Sequence, residues 1–168
     1  MKPWKKDKTT TRSAPIGIDF LVEQGMCAQM NGIDIENFNR SQNRKPVFGT
    51  DGLGTCVGLI VVYNDGAVFC GHMDAKSSPR IELEKNSMIA NVGNIIDRLV
   101  SKQDVKSIKY ASTSKDSSTA CIEAAIKSRF SGAIKAEGTL IYFDGKDIIV
   151  SNENITGGER VGLFSFSA

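Results

Sequence analysis

The chain has few of the residues from which most metal and catalytic centres are built. It carries one histidine, His72, and one tryptophan, Trp4, in 168 residues. A single histidine argues against a metal site. The four cysteines, Cys27, Cys56, Cys70 and Cys121, form no CxxC pair and no spacing suited to a thiolate cage. No metal and no cofactor is expected. A disulfide framework is not expected either, because a chain of this length buries a core without one. The cysteines read as reduced thiols, three buried and one reactive, with Cys70 and Cys121 behaving as small apolar side chains. No apolar run approaches the roughly 20 residues of a membrane span. A net charge of +2 gives no general pull toward polyanions.

The charge that is present is unevenly placed. Residues 1–15 carry Lys2, Lys5, Lys6, Lys8 and Arg12 against Asp7 alone, which leaves the rest slightly acidic. The segment lacks the apolar centre of a secretory signal. Its Thr9-Thr10-Thr11-Arg12-Ser13 run reads as a disordered basic tail, with an export leader of a non-classical route as the alternative. Trp4 is its only aromatic, so nucleic acid is an unlikely partner. Residues 16–168 are expected to form a single domain.

Ile16 to Val22 reads as a strand or a short helical start, and Asn31-Gly32 with the polar run 37–44 as a loop-rich surface. The clearest pattern follows. Val57-Gly58-Leu59-Ile60-Val61-Val62-Tyr63 and Ala67-Val68-Phe69-Cys70-Gly71-His72-Met73 flank Asn64-Asp65-Gly66, which predicts a β-hairpin. An irregular stretch with Pro79 leads to a helix over about 85–102, whose apolar residues recur at three- and four-residue steps. A strand over about 105–112 precedes a helix to about Phe130, N-capped from among Ser114, Asp116, Ser117 and Ser118. That helix should bury Ala120, Cys121, Ala124 and Ala125, with Ile122 and Ile126 as further candidates. A second hairpin, 138–151, turns at Asp144-Gly145, and 161–166 closes the chain as a strand. This order predicts an α+β fold: a mixed, mostly antiparallel, sandwich-like β-sheet core flanked by helices.

The first hairpin brings a cysteine and the sole histidine to one end of the same ribbon. Whether they share a face depends on the turn. A two-residue loop sets Val57 opposite His72 and puts Cys56 on the other face. A three-residue loop with a left-handed Gly66 sets Gly58 opposite His72 and puts Cys56 diagonally beside it. Chemistry requires the second register, a bulge, or a Cys56 lying just before the regular strand. Gly58 opposite His72 would then leave room for a substrate or for the imidazole to turn. An imidazole can take the thiol proton, and the thiolate is the nucleophile. Backbone amides around Gly54, Thr55 and Cys56 are candidates to receive an oxyanion. The Thr50 hydroxyl is a candidate to orient the imidazole.

Thr50-Asp51-Gly52-Leu53-Gly54-Thr55-Cys56-Val57 resembles the T-x-G-L-G-S-C-V signature of the chemoreceptor glutamine deamidase (CheD) family, with a following His72-Met73 as is common there. The order of helices and strands is similar, and Gly157-Gly158-Glu159-Arg160 resembles a late Gly-Gly and basic segment of that family. The Cys–His arrangement also resembles that of toxin deamidases of the cytotoxic necrotizing factor and Burkholderia lethal factor type. The resemblance implies that Cys56 is the nucleophile, His72 the general acid and base, and Thr50 the orienting residue. The implied reaction converts a protein glutamine side chain to glutamate with release of ammonia. Thr55 stands where the family has serine, the family's proline after the histidine is missing, and Tyr110-Ala111-Ser112-Thr113 replaces a Gly-Gly-Ala strand. These departures favour a toxin or effector relative.

The expectation is therefore a cysteine-dependent protein glutamine deamidase, a bacterial effector secreted to act in a target-cell cytosol on a protein bearing a reactive glutamine. A bacterial-cytoplasmic, chemoreceptor-type deamidase and a transglutaminase use the same Cys–His pair and are the alternatives. A non-enzymatic protein-binding module, with Cys56 and His72 as packing residues, is the alternative of another class.

Overall fold

The computed structural model describes residues 14–168. The expected basic tail, apart from its last two residues, lies outside them. Among the described residues, two main sheets and three helices make up the fold. The first sheet has six strands: β3 (Met26–Met30), β5 (Val57–Tyr63), β6 (Val68–Met73), β7 (Val105–Ser112), β8 (Ile134–Glu137) and β13 (Phe164–Ser165), in the order β13-β3-β6-β5-β7-β8. The second has five: β2 (Phe20–Val22), β4 (Phe48–Thr50), β9 (Leu140–Phe143), β10 (Ile148–Ser151) and β12 (Glu159–Val161), in the order β10-β9-β4-β2-β12. A short parallel pair joins β1 (Ile16–Gly17) to β11 (Ile155–Thr156). Most pairings are antiparallel; β2 with β4, β2 with β12, and β7 with β8 are parallel. The fold is α+β, with a sheet core flanked by helices.

Alternation along β5 explains the layering. Val57, Leu59, Val61 and Tyr63 point to one face, where they bury against α2 (Glu82–Leu99) and α3 (Ser117–Arg129). Ile60 and Val62 point to the other face, toward Phe48, Ile141 and Phe143 of the five-stranded sheet. Every residue of β5 and β6 is buried. A strand covered on both sides reads as a continuous apolar run, which is the pattern in the sequence.

The structure departs from the sequence reading at several elements. Residues 32–42, expected to be loop, form α1 (Gly32–Gln42). Asn31, which looks like half of an Asn-Gly turn, is instead the N-cap: its side chain accepts from the Asp34 amide at 2.8 Å, and the Asp34 carboxylate accepts from the Asn31 amide at 3.4 Å. Asn43 closes the helix in the left-handed region. Ala120 and Ala124 are exposed; α3 buries Cys121, Ile122, Ala125 and Ile126 as expected, and also Ser118 and Thr119. The closing stretch is two strands, β12 and β13, which belong to different sheets. The sequence reading did not include strands β3, β4, β8 and β11, and β4 matters most, because it carries Thr50. Among the described residues no helix is long and apolar enough to cross a membrane.

Candidate active site

The β5–β6 hairpin turns through Asn64-Asp65-Gly66. The Tyr63 amide donates to Ala67 O at 2.9 Å, the Gly66 amide donates to Tyr63 O at 3.0 Å, and Gly66 has φ +92°. The Asp65 carboxylate accepts from the Ala67 amide at 3.0 Å and holds the turn. The register that results sets Gly58 opposite His72 and Val57 opposite Met73. Cys56 lies one residue before the strand and two before Gly58. It therefore shares with His72 the face that looks toward the five-stranded sheet.

Thr50, at the end of β4, reaches across from that sheet. Its Oγ1 lies 2.7 Å from His72 Nδ1 and 2.8 Å from the carbonyl oxygen of Val22. A threonine hydroxyl has one proton. The Val22 carbonyl can only accept, so Thr50 gives its proton there and must accept from His72. This assigns the imidazole proton to Nδ1 and leaves the Nε2 lone pair open. Nε2 is buried and has no hydrogen-bond partner among the described residues. Burial pushes the imidazole below its ordinary pKa, against the opposing pull of the Asp74 and Asp51 carboxylates. A neutral ring with a free Nε2 is a proton acceptor near pH 7.

The segment carrying Cys56 is fixed from three directions. The Leu53 amide donates to Thr139 O at 3.1 Å, Thr113 Oγ1 donates to Leu53 O at 2.9 Å, and Thr119 Oγ1 donates to Thr55 O at 2.7 Å. Thr119 sits in the first turn of α3, so the end of a helix that favours negative charge meets the residue before Cys56. The amides of Thr55 and Cys56 donate to no acceptor among the described residues. The Gly54 amide does not qualify as an oxyanion donor: it is committed to Gly52 O at 2.9 Å.

The sulfur itself makes two contacts that the sequence reading missed. Cys56 Sγ lies 3.9 Å from Asp74 Oδ1 and 3.9 Å from Gln24 Nε2. It makes no hydrogen bond to His72. Burial, then the Asp74 charge, push the thiol up from its ordinary pKa, with the Thr55 hydroxyl offsetting part of this. The resting pair is thus a protonated thiol beside a neutral imidazole, and rotation of the Cys56 side chain away from Asp74 is needed to couple them. One signal could have found Asp74: extending the hairpin register by one residue sets it opposite Cys56. Nothing local in the sequence marks Gln24.

The space expected beside His72 at Gly58 is filled. A Cβ on Gly58 would lie 2.7 Å from Ile141 Cγ2 and 2.9 Å from Leu53 Cδ1. The glycine is there because side chains from both sheets close over it, so substrate must approach from the Gln24 and Thr55 side, where both residues are exposed. A cavity of about 810 Å³ lined by Phe20, Met30, Phe38, Arg160 and Leu163 contains none of the Cys56, His72 and Thr50 set.

No protein-family model matches the chain, and no curated protein matches it in sequence.

The other three cysteines differ from Cys56 in one respect that matters for chemistry. Cys27 is buried among apolar side chains, and burial pushes its thiol up to about 11. Cys70 is fully enclosed, and burial raises its thiol further. Cys121 is buried against the helix pair, with burial again the main cause of its raised pKa. Cys70, two residues before His72 in β6, shares the imidazole's face but is fully enclosed; of the four, Cys56 alone both shares that face and lies beside exposed residues, Gln24 and Thr55.

Proposed function

We propose that the protein is a cysteine-dependent glutamine deamidase acting on a protein side chain. The observation that carries this reading is the Thr50–His72 hydrogen bond. Because the Thr50 proton is committed to Val22 O, the bond holds the imidazole in the form whose Nε2 can accept a proton. Cys56 Sγ gives its proton to Nε2 and attacks the carboxamide carbon, and the C=O π pair moves to oxygen. The adduct collapses to a thioester as the C–N bond breaks and His72 protonates the departing nitrogen, which leaves as ammonia. Water, activated by His72, then adds to the thioester and returns the thiol with a glutamate side chain. The sum is carboxamide plus water to carboxylic acid plus ammonia, with no redox partner required.

The T-x-G-L-G-x-C-V stretch at 50–57 supports glutamine as the substrate through its resemblance to the deamidase families. An effector acting in the cytosol of a target cell remains our reading of its biological setting. The test compares wild type with Cys56→Ala on a cell lysate and searches for peptides in which glutamine has become glutamate. Conversions that depend on Cys56 are expected. Their absence in lysates from several cell types would overturn the assignment. Incorporation of a primary-amine probe in place of water would reassign the same thioester to a transglutaminase.

A further inference from the structure

The loss of Gly54 as an oxyanion donor leaves the site short of one group, and the Glu23-Gln24-Gly25 turn is placed to supply it. This turn links β2 to β3 and so crosses from one sheet to the other at the mouth of the site. The Met26 amide donates to Glu23 O at 3.1 Å and Gly25 has φ +75°, which are the features of a turn needing glycine at its third position. A Cβ on Gly25 would also press on Ser167 Oγ at 3.0 Å. Both ends of the turn are tied to the Thr50–His72 pair. Val22 O, at the end of β2, accepts from the Thr50 hydroxyl, and the amide of Gly25, the turn's last residue, donates to the backbone carbonyl of His72 at 3.0 Å. The backbone of Gln24 is thereby held between these two anchors, while its side chain is exposed.

The geometry points to Gln24 as the side-chain donor of the oxyanion site, its Nε2 hydrogens receiving the oxygen that becomes negative when Cys56 attacks a carbonyl carbon. The inference rests on the thiol chemistry proposed above. The two groups flanking the sulfur at 3.9 Å have opposite character: Asp74 presents a carboxylate, Gln24 the donor end of an amide. A developing negative oxygen is repelled by the first and received by the second. The distance also fits. Sulfur and oxyanion share one carbon in the adduct and stand about 2.7 Å apart, so an oxygen set to one side of the 3.9 Å line from Sγ to Gln24 Nε2, with an angle near 90° at the oxygen, can lie about 2.7–3.1 Å from the donor. The free amides of Thr55 and Cys56 complete the set on the side of the loop. Gln24 is exposed on the open side of the site, so an arriving carboxamide meets it before it meets the sulfur. A donor already placed at the site of charge development needs little rearrangement during the reaction.

The test separates chemistry that builds an oxyanion from chemistry that does not. Acylation of Cys56 by p-nitrophenyl acetate passes through a tetrahedral oxyanion and is read by nitrophenolate release, with Cys56→Ala as the blank. Alkylation of Cys56 by iodoacetamide displaces iodide at a saturated carbon, forms no oxyanion, and is read by peptide mass spectrometry. Gln24→Ala is expected to slow acylation about 100-fold and to leave alkylation unchanged. Gln24→Glu, which sets a carboxylate against the oxyanion, is expected to slow acylation at least as much. Equal acylation by Gln24→Ala and wild type would overturn the assignment. So would faster reaction with both reagents, which would make Gln24 a cover on the sulfur, or equal slowing of both, which would mean that it acts on the thiol itself. Wild type showing no Cys56-dependent acylation would refute the thiol-enzyme reading too, a result distinct from the other three.

Discussion

Replacing Thr50 by valine removes one hydroxyl from a fully buried position and changes almost nothing in shape. Two buried groups lose their partner: the carbonyl of Val22 and the Nδ1–H of His72. A buried polar group left unpaired costs about 1–3 kcal/mol, so the variant should be less stable by about 2–6 kcal/mol. For a domain of this size that lowers the melting temperature by at least about 4 °C. Switching the tautomer does not rescue it, since Nδ1 would then be an acceptor with no donor. Thr50→Ser keeps the hydroxyl and loses one methyl, so it should cost only about 1 kcal/mol. The ring can be watched directly. With a single histidine in the chain, a long-range ¹H–¹⁵N spectrum gives one pair of nitrogen signals. Wild type and Thr50→Ser should show a protonated Nδ1 and a lone-pair Nε2, and Thr50→Val should lose that preference. Acylation of Cys56 should fall about 10- to 100-fold in the valine variant, a part of what a general base supplies. A valine variant that melts with the wild type and keeps the Nδ1–H form would refute the claim that Thr50 fixes the imidazole.

Other outcomes follow from the same geometry. Asp74→Asn removes the charge that raises the Cys56 thiol, so iodoacetamide alkylation of Cys56 at pH 7 should accelerate several-fold; an unchanged rate would mean that the carboxylate does not act on the sulfur. Gly49→Ala drives a Cβ into the backbone carbonyl of Ile141 and against Tyr142 Cβ at 2.5 Å, whereas Gly54→Ala meets nothing within 4 Å. The first should cost about 3 kcal/mol or more and the second under about 0.5 kcal/mol by urea unfolding, with Cys56 acylation intact in Gly54→Ala because that amide is already committed. The His72 pKa is lowered on folding, so the unfolded chain binds the proton first as pH falls. Stability should be full above about pH 6.5, the ordinary histidine value, and decline below it until the folded imidazole also protonates. Urea midpoints at pH 7.5 and 5.5 measure this, and His72→Gln should flatten that slope.

The parts of this molecule that sequence reasoning read well are those where one local rule dominates. Asn64-Asp65-Gly66 between two apolar runs specified a hairpin, and the choice between two loops was reduced to which one puts Cys56 and His72 on one face. The α2 face was legible because Met88, Val92, Ile95, Ile96 and Leu99 repeat at helical spacing. The α1 helix was not, because the same Asn-Gly pair that opens a turn can also cap a helix. Phe48-Gly49-Thr50 is too short to carry a strand pattern, so β4 went unread although the motif named Thr50 itself.

The sequence by itself determined the α+β class and the hairpin, and reduced the register to a few alternatives, since these depend on alternation and turn chemistry within about twenty residues; the folded turn chose the register that puts Cys56 on the face of His72. Tertiary structure decided everything that depends on a partner from elsewhere in the chain. It gave the Thr50 proton to Val22 and so set the imidazole's tautomer, committed the Gly54 amide, closed the space at Gly58 with Leu53 and Ile141, and set Asp74 and Gln24 on either side of the sulfur. Hydrogen-bond direction and burial are properties of surroundings that the chain assembles only on folding. A residue's type states what it can donate or accept, and its neighbours in space decide which of these it does.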